Sequence, residues 1–172
     1  MNINSIIYKN RLILLTALAV CIVIVCISLS EKRYKDSITK LEIASETCDL
    51  ENIELLIQNN VNIGEKALHY AAEKGCLEII KFLVEKDVDI NTANKFKRTA
   101  LHYAADNGHL EIVKFLLDKG SNPIATDRDG RRPRDMAVVE LRYDKNKGKT
   151  YREIIKLLAK AEDQYESTKS NH

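Results

Sequence analysis

Two histidines of the chain share one sequence context and have the residue type of a catalytic base. His69 and His102 each lie in the string Ala-Leu-His-Tyr-Ala-Ala, and the two strings begin 33 residues apart. A general base must reach a nucleophile or a substrate proton, and one active site does not duplicate its base at a fixed spacing. The spacing therefore indicates a structural role for both histidines.

The four cysteines do not form a metal-binding pattern. Cys21 and Cys26 lie in an apolar N-terminal segment, and Cys48 and Cys76 stand alone, so no Cys-x-x-Cys pair occurs. Cys48 and Cys76 are either free thiols in a reducing compartment, which we favour, or a disulfide. The sequence also lacks a Gly-rich phosphate loop and a nucleophile elbow. It predicts no catalytic residues, no metal site, no cofactor and no enzyme activity.

The surroundings of the two histidines extend into a longer internal repeat. Segments 75–83 and 108–116 read Gly-Cys-Leu-Glu-Ile-Ile-Lys-Phe-Leu and Gly-His-Leu-Glu-Ile-Val-Lys-Phe-Leu. Across residues 108–117 the apolar residues follow helical spacing: Leu110, Ile112, Val113, Leu116 and Leu117. A unit of this size cannot bury its apolar face alone, so the repeat predicts paired helices that stack on their neighbours.

These strings resemble the ankyrin repeat, in which Thr-Pro-Leu-His-x-Ala-Ala precedes Gly-His-x-Glu-Ile-Val-x-x-Leu-Leu. Residues 99–105 match the first string, with Ala100 in place of proline, and residues 127–133 match the segment between repeats. Asn94 and Asp127 are residue types that favour turns and lie at the expected hairpins. The chain is similar to small ankyrin-repeat proteins of intracellular bacteria. The resemblance implies an all-α fold, a solenoid of about four helix-turn-helix units with short hairpin loops, preceded by one N-terminal apolar helix.

The same resemblance implies domain bounds and structural roles. In the family, the histidine at the positions of His69 and His102 braces the start of the first helix. Thr99 is expected to cap a helix, and Gly75 is expected to end one. The predicted segments are a tail at 1–11, a membrane segment at 12–30, a linker at 31–37, repeat units at about 38–63, 64–90, 91–123 and 124–161, and a disordered tail at 162–172.

An uncharged apolar run, Leu12–Leu29, precedes the repeats. As a helix it would span roughly 27 Å, close to the ~30 Å hydrocarbon core of a bilayer. It is either a single-pass transmembrane anchor or a cleaved secretory signal, and its length favours the anchor. Lys32, Arg33, Lys35 and Lys40 follow the run, so the positive-inside rule predicts repeats in the cytoplasm.

Ankyrin-repeat domains usually bind through their hairpin tips and concave face, which implies a membrane-anchored, non-catalytic protein-protein interaction module. The alternative is a secreted ankyrin-repeat protein that binds a host or envelope protein. The candidate partner-binding residues are Glu73, Lys74, Lys95, Phe96, Arg98, Asp106, Asn107, Arg128, Asp129 and Arg131. Phe96 either anchors a partner or folds onto the neighbouring unit. The basic residues near it either attract an acidic partner or an anionic membrane surface, or they are ordinary solvating charges. We expect a monomer and no nucleic-acid partner.

Overall fold

The computed structural model describes the backbone of residues 3–59, 64–144 and 146–170, and within them it contains eight helices and no strand. This result confirms the predicted all-α fold class. The helices are α1 (Ile3–Glu46), α2 (Leu50–Asn59), α3 (Gly64–Lys74), α4 (Leu77–Glu85), α5 (Ala100–Asp106), α6 (Leu110–Asp118), α7 (Pro133–Tyr143) and α8 (Gly148–Ser170). Two compact units, Met1–Lys40 and Leu41–His172, divide the chain.

In the second compact unit a tight turn joins the end of α1 to α2, with the Asp49 N–H bonded to the Ala44 carbonyl at 2.8 Å. Three packed pairs follow, α3 with α4, α5 with α6, and α7 with α8, and α2 packs on α4. In the first layer α3 packs on α5 and α5 packs on α7, whereas in the second layer α4 packs on α6 and α6 on α8. Each pair therefore contacts its sequence neighbours, which is how stacked repeats bury their apolar faces.

The repeated strings supply both the core and the helix ends. Fully buried apolar residues include Leu68, Leu101, Ile112, Leu116, Ile154 and Leu158, with Ala71, Ala72, Ala104 and Ala105 at the contacts of the first layer. Thr99 is the N-cap of α5 as predicted: its carbonyl accepts the His102 N–H at 3.1 Å, and its own N–H donates to His102 Nδ1 at 3.1 Å.

The N-terminal segment differs from the prediction at its end. The expected linker at residues 31–37 is helical, since α1 runs without a break from Ile3 to Glu46. Within the described part of the chain, we find no helix with the length and apolarity that crossing a bilayer requires. Most of the predicted membrane segment, residues 12–22 and 25, has side chains outside the described set.

The C-terminal part is more ordered than the sequence suggests. Residues 162–170 were expected to be disordered, but α8 continues to Ser170. The reason is an ion-pair cluster: the buried Glu162 carboxylate lies 3.2 Å from Arg134 Nη2 and 3.4 Å from Arg132 Nη1. Arg132 also lies 3.4 Å from Glu166 one turn later. These pairs hold the last turns of α8 against the start of α7.

Cys48 and Cys76 form a disulfide, so the favoured interpretation of free thiols is wrong. Cys48 lies in the turn between α1 and α2, and Cys76 lies in the turn between α3 and α4. Because adjacent pairs stack, these turns come together and leave the two Cα atoms 5.3 Å apart, within the range that a disulfide spans. Sequence spacing alone does not give this distance.

Candidate protein-binding surface

One polar side chain at the same position of two successive hairpins shapes their tips. Asn94 Oδ1 accepts hydrogen bonds from the backbone N–H groups of Phe96 at 2.8 Å and Arg98 at 3.1 Å. Asp127, which lies 33 residues later, accepts the equivalent two N–H groups on Oδ1 at 2.9 and 3.0 Å. Asn and Asp favour turns because they bond the backbone two residues further on. The sequence prediction of both as turn residues agrees with this geometry.

The two tips are joined around an exposed aromatic ring. The Arg128 N–H donates to the Phe96 carbonyl at 3.0 Å, and the Phe96 side chain is 47% exposed. Lys95 Nζ lies 5.0 Å from the centre of the Phe96 ring, and Arg128 Cζ lies 5.9 Å from it. Each cation–π contact at such an exposed site contributes about 0.5–1 kcal/mol. We refer to Lys95, Phe96 and Arg128 as the cation–aromatic platform.

A buried carboxylate fixes the base of this platform. The Asp127 side chain accepts from Arg131 Nη2 at 3.0 Å and from Nε at 3.2 Å, and Arg98 Nε lies 3.5 Å away. Arg98 also pairs with Asp106 at 3.7 Å. Burial alone would raise the pKa of Asp127, but the hydrogen bonds from Arg131 and Asp129 outweigh it and lower the pKa. The carboxylate is therefore ionised at neutral pH and holds two guanidinium groups.

A groove of about 580 Å³ runs beside the platform on the side of α3. Phe96 and Lys95 line it from the hairpin, and His69, Tyr70 and Tyr103 line it from the first-layer helices. The Tyr103 hydroxyl accepts from Asn94 Nδ2 at 2.7 Å, and the Tyr70 hydroxyl donates to Glu42 at 2.6 Å. Burial, then the bond to Glu42, raises the pKa of Tyr70 to about 12. Tyr70 is therefore neutral at physiological pH, and the rings of Tyr70 and Tyr103 both line the groove.

A second cavity of about 300 Å³ lies on the other side of Phe96. Its walls are the side chains of Arg98, Asp127, Arg128, Asp129 and Arg131. Phe96 belongs to both cavities, so one exposed ring separates an aromatic groove from a charged pocket. Surfaces that combine an aromatic anchor with neighbouring arginines are typical of the energetic centres of protein interfaces.

A comparison with protein-family models identifies the origin of this architecture. The model described as "Ankyrin repeats (3 copies)" matches residues 41–127 and 91–170, more than half of the 172 residues. The chain belongs to the ankyrin-repeat family. No curated protein matches the sequence. Ankyrin repeats act in protein-protein interaction, which is the general function that this membership supports.

The repeated histidines of the ankyrin units form hydrogen bonds to the backbone of the next hairpin. His102 Nε2 donates to the Arg131 carbonyl at 3.1 Å, while its Nδ1 accepts from the Thr99 N–H at 3.1 Å. His69 Nε2 donates to the Thr92 carbonyl at 3.0 Å. Burial lowers the pKa of both histidines, although the bonds to these carbonyls oppose it. The neutral tautomer with the proton on Nε2 fits the His102 contacts, since a second proton would displace the Thr99 donor.

Acidification from pH 7.5 to 5.5 is expected to destabilise the ankyrin domain through these two histidines. Their pKa values are lower in the folded chain than in the unfolded chain, so the unfolded state takes up protons first as the pH falls below about 6.5. Stability is then retained above that value and lost below it. The measurement is urea unfolding at the two pH values.

The matched variant His69→Gln/His102→Gln should be less stable at pH 7.5 but lose less on acidification. Glu162 does not mimic this behaviour, because burial raises its pKa, an effect that the nearby Arg134 and Arg132 oppose, and its protonation stabilises the fold as the pH falls. A wild-type chain with equal stability at both pH values would contradict the proposal that protonation of His69 and His102 weakens their contacts with the next hairpin.

The structure separates the ten predicted binding residues of the ankyrin domain into groups. Those that line the charged pocket are Phe96, Arg98, Arg128, Asp129 and Arg131, and those that line the groove are Glu73, Lys95 and Phe96. Lys74, Asp106 and Asn107 contribute to neither cavity. Lys74 pairs with Glu46 at 3.6 Å, and the Asn107 carbonyl accepts from Lys147 Nζ at 3.3 Å, so both stabilise contacts between units.

Three contributors to this surface were absent from the predicted set. Asp127 and Asn94 were recognised as turn residues, but not as the groups that hold Arg131 and the Phe96 backbone. Glu42 lies in the degenerate first unit, where the family pattern gives little guidance. Met136 occupies the position equivalent to Tyr70 and Tyr103, yet it is only 2% exposed and belongs to the core. The described residues contain no group of His, Cys, Asp or Glu that could hold a metal ion.

Proposed function

We propose that the repeat domain is a non-catalytic module that binds a protein segment across the groove and the cation–aromatic platform. The observation that supports this proposal best is the position of Phe96, an exposed ring held between two cations and shared by two adjacent cavities. A partner side chain in the groove would bury the ring face that water now contacts. Burial of such an aromatic anchor dominates the binding free energy of many interfaces.

We propose further that the partner segment is acidic and that the domain binds it as a monomer. Arg98 and Arg131 are neutralised locally by Asp127, Asp106 and Asp129. By contrast, among the described residues no carboxylate lies within ion-pair distance of the other three cations around the tip, Lys95, Lys97 and Arg128. A surplus of positive charge beside an aromatic anchor favours carboxylate-rich segments, and their association should weaken as salt rises.

The N-terminal run Leu12–Leu29 is proposed to anchor the module to a membrane. Its support is the absence of any Asp, Glu, Lys or Arg over this stretch of the sequence. The alternative is export with cleavage of the segment. An intact mass in a membrane fraction that only detergent releases would support the anchor, and a soluble chain that begins near Glu31 would support the alternative.

The test of the binding surface is the affinity of a captured partner for a triple variant. Lys95→Ala/Phe96→Ala/Arg128→Ala is expected to weaken binding about 30- to 100-fold, the loss typical of removing an aromatic anchor with its flanking charges. Calorimetry or surface plasmon resonance with the purified partner gives the dissociation constants. Since all three residues are exposed, the variant should keep its helix content and its urea midpoint.

The matched control is Lys86→Ala/Lys119→Ala. These lysines are exposed and lie 5.5 and 5.7 Å from the rings of Phe82 and Phe115, so the control also loses two charges and two cation–π contacts. It should bind the partner like the wild-type chain. Equal affinities for wild type and triple variant would overturn the proposed surface.

A further inference from the structure

The Cys48–Cys76 disulfide occupies a junction that recurs along the array. Cys76 is the N-cap residue of α4, with φ −85° and ψ 78°, and His109, 33 residues later, is the N-cap residue of α6, with φ −85° and ψ 77°. On the other side of each junction stands a turn residue with positive φ, 51° at Cys48 and 88° at Gly75. Cys48 and Cys76 therefore occupy the positions that Gly75 and His109 hold at the next junction.

The later junctions are closed without a covalent bond. His109 Nε2 donates to the Glu73 carbonyl at 2.9 Å, and its ring fills the space over Gly75, where a Cβ would lie 2.8 Å from His109 Cε1. At the following junction the Tyr151 hydroxyl donates to the Asp106 carbonyl at 3.0 Å, with its ring over Gly108. Each junction thus fastens the turn of one unit to the second helix of the next.

Cysteine is a costly residue at the turn of the first junction. A side chain in the left-handed region costs roughly 1–2 kcal/mol, and for this reason glycine is common where two helices meet. Cys48 accepts this conformation at a position where the next two units have glycine. The bond to Cys76 gives a physical reason for its presence.

The first unit needs this fastening more than the others. Among its described residues, the buried apolar side chains are Leu41, Ala44 and Ile53, whereas the second unit buries seven such residues from Ala67 to Leu83, not counting Cys76. The unit nevertheless carries Glu42, which accepts the Tyr70 hydroxyl at the edge of the groove. Its attachment therefore affects the wall of the proposed binding surface.

We propose that Cys48 and Cys76 form a covalent junction that docks the first unit, and that the repeats work in an oxidising compartment where this bond persists. The two thiols lose two protons and two electrons as the S–S bond forms. The disulfide of a thiol oxidoreductase accepts the two protons and the two electrons and is reduced to two thiols. The exposed Cys48 enters the exchange first, and the buried Cys76 then displaces the oxidoreductase from the mixed disulfide.

This inference reverses the orientation expected from the flanking charges, because disulfides are rare where glutathione keeps thiols reduced. It places the repeats on the outer side of the membrane or in secreted material, and it does not depend on the identity of the partner. It also makes reduction a means of releasing the first unit from the array.

The first experiment reads the thiol state of the full-length chain in cells, in a Cys21→Ser/Cys26→Ser background. Cells of a bacterial host are quenched with acid, and free thiols are labelled with a maleimide that adds a fixed mass. We expect no label in the wild-type host and two labels in a host without its periplasmic thiol oxidase. Two labels in the wild-type host would overturn the oxidising compartment.

The second experiment measures hydrogen exchange of the purified chain before and after reduction. Removal of a cross-link over 28 residues should lower the protection of the α2 amides roughly 100-fold, whereas α5 and α6 change less than about threefold. Cys48→Ala/Cys76→Ala should match the reduced chain. Full protection of α2 after reduction would overturn the docking role of the bond.

A transplanted junction distinguishes fastening from general loss of stability. Cys48→Gly/Cys76→His installs the pair found at Gly75 and His109, so its ring can reach the Glu46 carbonyl in place of the disulfide. We expect protection of α2 at least 10-fold above that of Cys48→Ala/Cys76→Ala, with and without reductant. Protection equal to that of the alanine pair would contradict the equivalence of the junctions.

Discussion

Replacing Leu101 with alanine should lower the free energy of unfolding of the repeat domain by about 3–4 kcal/mol. Leu101 is fully buried in α5, which packs between α3 and α7. The substitution removes buried methyl groups and leaves a cavity in a close-packed core. In a stacked array it also weakens both neighbouring interfaces of the central unit. Urea unfolding followed by far-ultraviolet circular dichroism gives the difference.

The control for Leu101 is Ile43→Ala in the first unit. Ile43 is also helical and aliphatic but 58% exposed, so its truncation should cost less than about 1 kcal/mol. If Leu101→Ala cost no more than Ile43→Ala, the central position of α5 in the core would be contradicted. A broadened transition with an unchanged midpoint would instead indicate that the units of the array unfold separately.

Replacing Asp127 should produce the second largest effect, about 2–3 kcal/mol for Asp127→Ala. The substitution deletes two backbone-capping hydrogen bonds and the charge partner of Arg131 and Arg98. Each capping bond contributes about 1 kcal/mol, and the loss of a buried charge partner adds to this. The guanidinium of Arg131 can reach water, because its side chain is 39% exposed, which limits the total.

Asp127→Asn separates the two contributions of this side chain. Asparagine keeps the Oδ1 acceptor, as Asn94 does at the equivalent position, but loses the charge. At pH 7, Asp127→Asn should lower the free energy of unfolding by about half as much as Asp127→Ala, as measured by chemical unfolding. Since the folded state lowers the pKa of Asp127, the advantage of aspartate over asparagine should be present at pH 7 and vanish as the pH falls below about 3.8. Equal costs for Asn and Ala would show that the charge, and not the cap, dominates.

The sequence predicted those elements that repeat, and for a physical reason. The strings around His69 and His102 combine helical apolar spacing, small residues at helix contacts and a capping residue, so local preference and stacking agree. The helix pairs α3/α4 and α5/α6 and the cap at Thr99 follow from this agreement. The sequence left two positions open for the Phe96 ring, exposed at the hairpin tip or folded onto the neighbouring unit. The ring is exposed in the structure.

The remaining features depend on contacts between units that sequence spacing does not contain. The Cys48–Cys76 bond requires two turns from different units to meet, and the order of α8 to Ser170 requires Arg132 and Arg134 to reach Glu162. Asp127 looked like an ordinary turn residue, since nothing local shows that two arginines converge on it. Comparing equivalent positions of successive units would have indicated the disulfide, because Cys48 stands where the next two units have glycine.

The central claim, that partners dock on the cation–aromatic platform, is tested most directly by site-specific photo-crosslinking in cells. A photoreactive phenylalanine replaces Phe96 in one sample and Glu111 in the control, because Glu111 is 69% exposed on α6 in the other helix layer. We predict a crosslinked protein adduct from position 96, suppressed by Lys95→Ala/Arg128→Ala, and none from position 111. An adduct from position 111 with none from position 96 would contradict the proposed surface.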